Sequence, residues 1–229
     1  MTLLAGTDPQ LAALLAAARP VLLDVGCGDG RHTVRWAQRR PDALVVGLDA
    51  EITRLERSLV AARRRKLPVL FLGAAVEHPP AALLGRAVEL AVVMPWGSLL
   101  DGILGADLDV LRCVLALGAP DATLEAVVNV RPWDAPASLD RKLAATPQPT
   151  AEHLAGLVEA YRELGWRLEP AGWLTDAEAR ALGSTWASRV VSARASRLLR
   201  LRASADPAGA DPAGGDPAGA DPVGAERAP

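Results

Sequence analysis

Short apolar runs alternate with helical segments through the first two thirds of this 229-residue chain, an order that few folds accommodate. Residues 21–25 form a compact apolar run that reads as a buried strand. Residues 31–40 read as a helix stopped by Pro41, and residues 43–48 as a second strand ending on Asp49. A helix is expected over 51–65, then strands at 68–72, 89–94 and 124–130, with helical spacing at 107–117 and 152–164. A short helix at 9–18 precedes them all. Such alternation predicts an α/β fold with a parallel, doubly wound sheet. After Trp166 the order changes to strand, helix, strand, at 167–173, 176–182 and 197–202.

Half the residues are hydrophobic, enough for a substantial core, and the formal charge is −2 from 25 basic and 27 acidic residues. That balance argues against a strongly basic nucleic-acid binder, but the charge is unevenly spread. The stretch from Ala203 to Pro229 repeats Asp-Pro-Ala-Gly units and holds Asp206, Asp211, Asp216, Asp221 and Glu226 against Arg227 alone. Setting those five acids and one base aside leaves 24 basic and 22 acidic residues, or +2 for residues 1–202. Almost nothing in the repeat can be buried, so one folded domain over 1–202 and a disordered tail over 203–229 are expected. Cys27 and Cys113 are too few and too loosely spaced for a disulfide framework, and the three histidines form no metal site. No apolar run reaches membrane-spanning length, and no signal-peptide pattern opens the chain, so a cytoplasmic monomer is expected.

The first strand leads into Gly26-Cys27-Gly28-Asp29-Gly30. A glycine-rich turn between strand and helix lets the backbone approach a ligand above a helix N-terminus. Position 31 is Arg, so the dinucleotide spacing Gly-x-Gly-x-x-Gly is absent. Asp49, at the end of the second strand, is placed to accept from both ribose hydroxyls of a nucleoside, or else to cap the following helix. Asp24-Val25-Gly26-x-Gly28-x-Gly30, followed by Asp49, resembles the S-adenosyl-L-methionine site of class I methyltransferases. The resemblance implies a Rossmann-like, mostly parallel seven-stranded sheet with an antiparallel last strand. It also implies Asp24 and Gly26 near the methionine part of the cofactor, Gly28, Asp49 and Ala50 around it, and Val76 and Glu77 flanking the adenine.

Two further runs are unusual: Met94-Pro95-Trp96-Gly97-Ser98-Leu99-Leu100 after the fourth strand, and Ser184-Thr185-Trp186 with Arg189 and Arg194 before the last. Together with Gly28-Asp29-Gly30-Arg31-His32 and Asp49-Ala50, they resemble the Kam/NpmA family of 16S ribosomal RNA methyltransferases over residues 20–202. That family modifies N1 of adenine-1408 in the 30S subunit and confers aminoglycoside resistance. The resemblance implies Trp96 and Trp186 as the faces that sandwich a flipped base, and Ser184 as the residue that fixes its pocket. Val93, Met94, Pro95 and Ser98 are implied to line the cofactor side.

The chain has six Trp against one Phe and one Tyr, so indole also fills core here. Trp36, Trp166 and Trp173 are expected in the core, whereas Trp133 fits either role. Arg63, Arg64, Arg65 and Lys66 form one basic cluster, and Arg189, Arg194 and Arg197 belong to another. Each reads as a solvated face or as a set of phosphate contacts, and the resemblance favours RNA. His32, His78 and His153 are expected to be incidental. Departures from the family pattern are a short N-terminal segment, Ser196 where an arginine is expected, and Val76-Glu77-His78 where a leucine usually precedes the prolines. A small-molecule methyltransferase, with the two tryptophans caging its substrate, is the alternative enzyme reading. A ribosome-binding protein with a vestigial cofactor pocket is the non-catalytic one.

Overall fold

The computed structural model describes residues 3–5, 9–17, 20–130, 133, 146–182, 184 and 198–206. Every residue of β2 (Val21–Val25) is buried, as befits a strand covered on both faces. It pairs in parallel with β3 (Leu44–Asp49) on one side and β5 (Ala87–Val93) on the other. Outward from β3 lie β4 (Val69–Gly73) and the short β1 (Leu3–Ala5), both parallel. Outward from β5 lie β6 (Gly118–Asn129) and then β9 (Leu198–Ala205), which alone runs against its neighbours. β7 (Trp166–Leu168) and β8 (Gly172–Trp173) share the far edge of β9, completing a nine-stranded sheet among the described residues. The chain winds one way from β2 through β4 and the other way from β5 through β6. The crevice beyond the carboxyl ends of β2 and β5 is therefore the place where such a sheet binds ligands.

Alternate side chains send the strands into two cores. Leu23, Val46 and Leu72 join one cluster with α1 (Pro9–Ala17), α4 (Ser98–Ile103), α5 (Leu108–Leu115) and α6 (Ala151–Glu163). Leu22, Val45 and Phe71 join the other, with α2 (Arg31–Arg39) and α3 (Glu56–Arg64). A small third cluster gathers Met94, Val127 and Leu198 under α7 (Asp176–Ala181), where Leu174, Ala179 and Leu182 cover them.

Several elements differ from the sequence reading. Helix α3 begins at Glu56 rather than at 51, because Asp49 Oδ1 accepts from the Glu51 N–H at 2.8 Å and Glu51 Oε1 accepts from Thr53 N–H at 3.0 Å. Such local side-chain bonds favour turns over helix. Strand β6 starts six residues earlier than expected, through the exposed Pro120 and Asp121, with its pairing to β5 shifted between Ala87 and Glu89. The expected strand at 167–173 is broken at Pro170 into β7 and β8, since proline cannot donate to the ladder. Trp166 is core, but Trp173 is 55 % exposed, because a two-residue edge strand gives its ring nothing to pack beneath. Ser98–Ile103, to which no element was assigned, is helical, and β1 was not foreseen. Strand β9 continues past Arg202, and the Asp206 N–H donates to the Gly165 carbonyl at 2.8 Å. Residues 207–229, and 134–145 of the proline-rich linker, lie outside the described residues.

Helix α3 closes with a left-handed residue that is not glycine. Lys66 has φ 51°, the Leu67 N–H reaches the Ala62 carbonyl at 3.0 Å, and the Lys66 N–H reaches that of Arg63 at 3.2 Å. This Schellman ending ordinarily takes glycine. Lys66→Gly should therefore raise stability by about 1 kcal/mol, or about 2–4 °C in Tm, by thermal denaturation. A fall in Tm would show that the lysine carries no backbone strain.

Helix α7 starts with a capping box. Glu178 accepts from the Thr175 N–H and hydroxyl at 2.8 and 2.7 Å, and from Arg200 at 2.8 Å. The Thr175 bonds first, then Arg200, pull its carboxyl down from 4.5 to about 2. A depressed folded pKa gives stability that is complete above about pH 4.5 and lost as pH falls toward 2. Denaturant titrations across that range should show a flatter acid limb for Glu178→Gln than for the parent chain. Identical slopes would remove Glu178 from the acid transition.

Candidate active site

The turn after β2 holds its residues in conformations that side chains resist. Gly28 has φ +56°, and a Cβ added there would meet nothing within 4 Å, because the space above it is open cavity. Gly30, at φ +72°, enters α2 so tightly that a Cβ would press on Phe71 and Leu55 at 2.8 and 2.9 Å. The Phe71 and Leu55 side chains thus close one side of the turn, and the other is left free for a ligand.

That free side opens into a cavity of about 340 Å³, within the range of small-molecule sites. Its floor is the glycine turn with Asp24, Gly26 and Gly28. Asp49 and Ala50, from the end of β3, form one rim, and Val76 and Glu77, after β4, the next. Val93, Met94, Pro95 and Ser98 close the side toward β5, with Trp96 and Ser184 at the same cavity. All eleven residues expected from the cofactor resemblance therefore line one space. Trp186 lies outside the described residues, as do Arg189, Arg194 and Arg197.

Hydrogen bonds orient the acidic groups of the lining. Asp49 Oδ2 accepts from the Gly28 N–H at 2.7 Å while Oδ1 accepts from Glu51, which ties the second strand to the turn. Asp24 is 1 % exposed; its Oδ2 accepts from the Thr33 hydroxyl at 2.6 Å. His32 Nδ1 stands 3.3 Å from Asp24 Oδ1, outside hydrogen-bond alignment, with its ring against Trp36. His32 is thus part of the site's wall rather than incidental. The signal was its position in the first turn of α2, one turn from the glycines. Asp29 and Leu99 also line the cavity and were not expected there. Glu77 accepts from the Ser98 hydroxyl at 2.6 Å, joining the β4 and β5 sides.

Met94 is the second non-glycine residue with positive φ, at 59°. It is buried, and its N–H donates to the Val127 carbonyl at 2.8 Å. Strain of this kind persists where neighbours over-determine the backbone, and it gathers at functional sites. Here it turns the chain so that Pro95 and Trp96 cross the cavity edge before Gly97, at φ 60°, starts α4. Trp96 remains 48 % exposed.

The family model NpmA, described as 16S rRNA (adenine(1408)-N(1))-methyltransferase, matches residues 2–205. The chain belongs to this family. A 16S rRNA (adenine(1408)-N(1))-methyltransferase of Streptoalloteichus hindustanus is 41 % identical over 181 residues, spanning 76 % of this chain and 81 % of the relative. The solved 16S rRNA methyltransferase KamB superimposes with a TM-score of 0.77 at 34 % identity, covering 88 % of this chain and 94 % of KamB. A variant of the Catenulisporales acidiphilia 16S rRNA (adenine(1408)-N(1))-methyltransferase, solved with cosubstrate SAM, gives 0.75 at 34 % identity and covers 94 % of both chains.

In this member of the family, Arg63, Arg64, Arg65 and Lys66 are all exposed. They sit at the C-terminal end of α3, where the chain returns to the start of β4, so they lie at the opposite end of the sheet from the cavity. Arg54 is the basic residue that reaches the cavity rim. Trp133 packs partly into the core, and its Nε1 donates to the Thr146 carbonyl at 3.4 Å.

Cys27 points beneath the turn, into the cluster of Leu22 and Phe71. Burial, then the charges of Asp24 and Asp49, push its thiol well above the usual range, so little thiolate forms near neutrality. Iodoacetamide at pH 8 should alkylate the half-buried Cys113 first and Cys27 only on unfolding, as read by mass spectrometry. Equal native labelling of both would contradict this placement.

Proposed function

We propose that the cavity holds S-adenosylmethionine and that this chain methylates N1 of adenine-1408 of 16S rRNA in the 30S subunit, giving aminoglycoside resistance. The carrying observation is one cavity at the switch point of the sheet, walled by Asp24, Asp49 and Glu77, with an exposed Trp96 and Ser184 both in its lining. The lining suits the cofactor: Asp24, Asp29, Asp49 and Glu77 face Arg54 and His32, an acidic excess that favours a ligand bearing a sulfonium and an ammonium. Asp24 and Gly26 would hold the methionine part. Asp49, oriented by two backbone N–H groups, has lone pairs left for the ribose hydroxyls, beside Gly28 and Ala50. Val76 and Glu77 would flank the adenine, with Val93, Met94, Pro95 and Ser98 as the opposite wall. When bound, the cofactor supplies an electrophilic methyl group on a sulfonium.

Adenine N1 inside a helix is paired and stacked, so the nucleotide must leave the stack to present that atom. Trp96 and Trp186 are the proposed faces that receive it, with Ser184 fixing its edge. N1 brings its own lone pair, so the chain need remove no proton, and its task is to place N1 in line with the methyl group. The methylated base is cationic, and indole faces favour that developing charge. Arg63, Arg64, Arg65 and Lys66 would contact phosphates well away from the reacting base, and Arg189, Arg194 and Arg197 are further proposed phosphate contacts. A monomer suffices, since every proposed group comes from one chain. No helix among the described residues is long and apolar enough to cross a membrane, and action on ribosomes would put the enzyme in the cytoplasm.

Labelled S-adenosylmethionine with 30S subunits should give a reverse-transcription stop at adenine-1408, because an N1 methyl blocks the pairing edge. Label in a small metabolite with no stop would favour the small-molecule alternative and sink the RNA reading. Loss of one stacking face, about 1–3 kcal/mol, should slow Trp96→Ala and Trp186→Ala by about 5–150-fold, with cofactor affinity nearly unchanged.

A further inference from the structure

We infer that Arg35 and Arg39 of α2 are positioning residues for methyl transfer, holding the end of α7 so that Ser184 stands correctly at the cavity. Arg35 Nη1 donates to the Arg180 carbonyl at 3.1 Å, and Arg39 Nη1 donates to the Ala181 carbonyl at 2.9 Å. The two arginines are four residues apart and therefore share one face of α2. Their acceptors are the last two carbonyls of a six-residue helix, at its negative dipole end; the Arg180 carbonyl also accepts from the Leu182 N–H. Three residues beyond Ala181 the chain reaches Ser184 in the cavity wall.

Ala179 and Leu182 seat the sheet-facing side of this end of α7 on Met94, Val127 and Leu198, and the two arginines hold it from the side of α2. A second cavity, of about 500 Å³, opens between α2 and α7, with Trp36, Arg39, Ala181 and Leu182 in its lining. The two arginines bridge to α7 beside a gap that side-chain packing leaves open. The start of α7 is secured separately, by its capping box and by Arg200 on Glu178.

Helix α2 is the element common to both halves of the site. Its first turn carries Thr33 and His32 against Asp24 under the cofactor cavity, and its later turns carry Arg35 and Arg39. Its nine residues make a rod of about 13 Å, which sets the distance between the cofactor floor and the peptide leading to Ser184. Both arginines are exposed, and exposed charged bonds contribute little to global stability. Their removal should therefore register in the rate of transfer, which is sensitive to small displacements, rather than in folding.

This inference rests on the methyl-transfer reading, so the parent chain is assayed alongside; a parent that gives no stop at adenine-1408 fails that reading itself. The double variant Arg35→Ala/Arg39→Ala should lose about tenfold in kcat on 30S subunits, with KM and S-adenosylmethionine affinity within about twofold of the parent. Arg35→Lys/Arg39→Lys should recover most of the rate, because an ammonium still donates to a carbonyl. Arg40→Ala, at the same helix end but paired with Glu89 and Asp42, should keep the parental rate. Independently of turnover, amide exchange at Leu182 and Ser184 should quicken in the alanine variant while that at Gly28 does not. A folded alanine variant with parental kcat and parental exchange would overturn the assignment. So would a loss confined to KM, which would make the arginines phosphate contacts, or to cofactor affinity.

Discussion

A carboxylate buried at the end of β2 organises everything around it. Asp24 has almost no contact with water, and a charge so placed costs several kcal/mol unless bonded. Its hydrogen-bond donor, the Thr33 hydroxyl, lies in the first turn of α2, with the His32 ring 3.3 Å away in the same turn. The cost is offset only if α2 begins where it does, leaving five residues to turn the chain back through left-handed conformations at Gly26, Gly28 and Gly30. The cavity is the space that this short return cannot fill. Asp49 then locks the turn from the neighbouring strand through the Gly28 N–H.

The chemistry asked of the site is placement. A neutral adenine nitrogen needs no proton removed, and the lining offers carboxylates that are already committed to hydrogen bonds. Rigid surroundings serve such a reaction better than titratable ones. The left-handed Met94, the Glu77–Ser98 bond and the buried Thr146, whose hydroxyl donates to Asp101 of α4, all stiffen the segment that presents Trp96.

The parts legible in the sequence were those whose signal is local. Glycine spacing, an acid closing a strand and the Met94–Leu100 run each mark their position within a few residues, and all of them meet at one cavity. Side-chain bonds that override propensity, and elements that depend on distant partners, were not legible. The Asp49–Glu51–Thr53 turn displaced the start of α3 because hydrogen bonds overrode good helix formers. Trp173 was assigned to the core on its apolar character, yet it lies on an edge strand that ends after two residues. Nothing in the composition of α2 says that its arginines reach carbonyls more than 140 residues away. Three-residue β1 carries too short a pattern to be seen at all.

The position of β9 has a consequence for how the molecule comes into being. It fills the slot between β6 and the β7–β8 edge, so the sheet is completed by its final strand. Until Leu198–Ala205 leave the ribosome, β6 presents an open edge and the far strands have nothing to pair with. The glycine turn and its cavity can assemble earlier, since β2 to β5 are synthesised first. A nascent chain would thus acquire the elements around its cofactor floor well before β9 joins the sheet beneath α7. In order of synthesis, then, the strands that carry the cofactor floor precede the one that joins β6 to the β7–β8 edge.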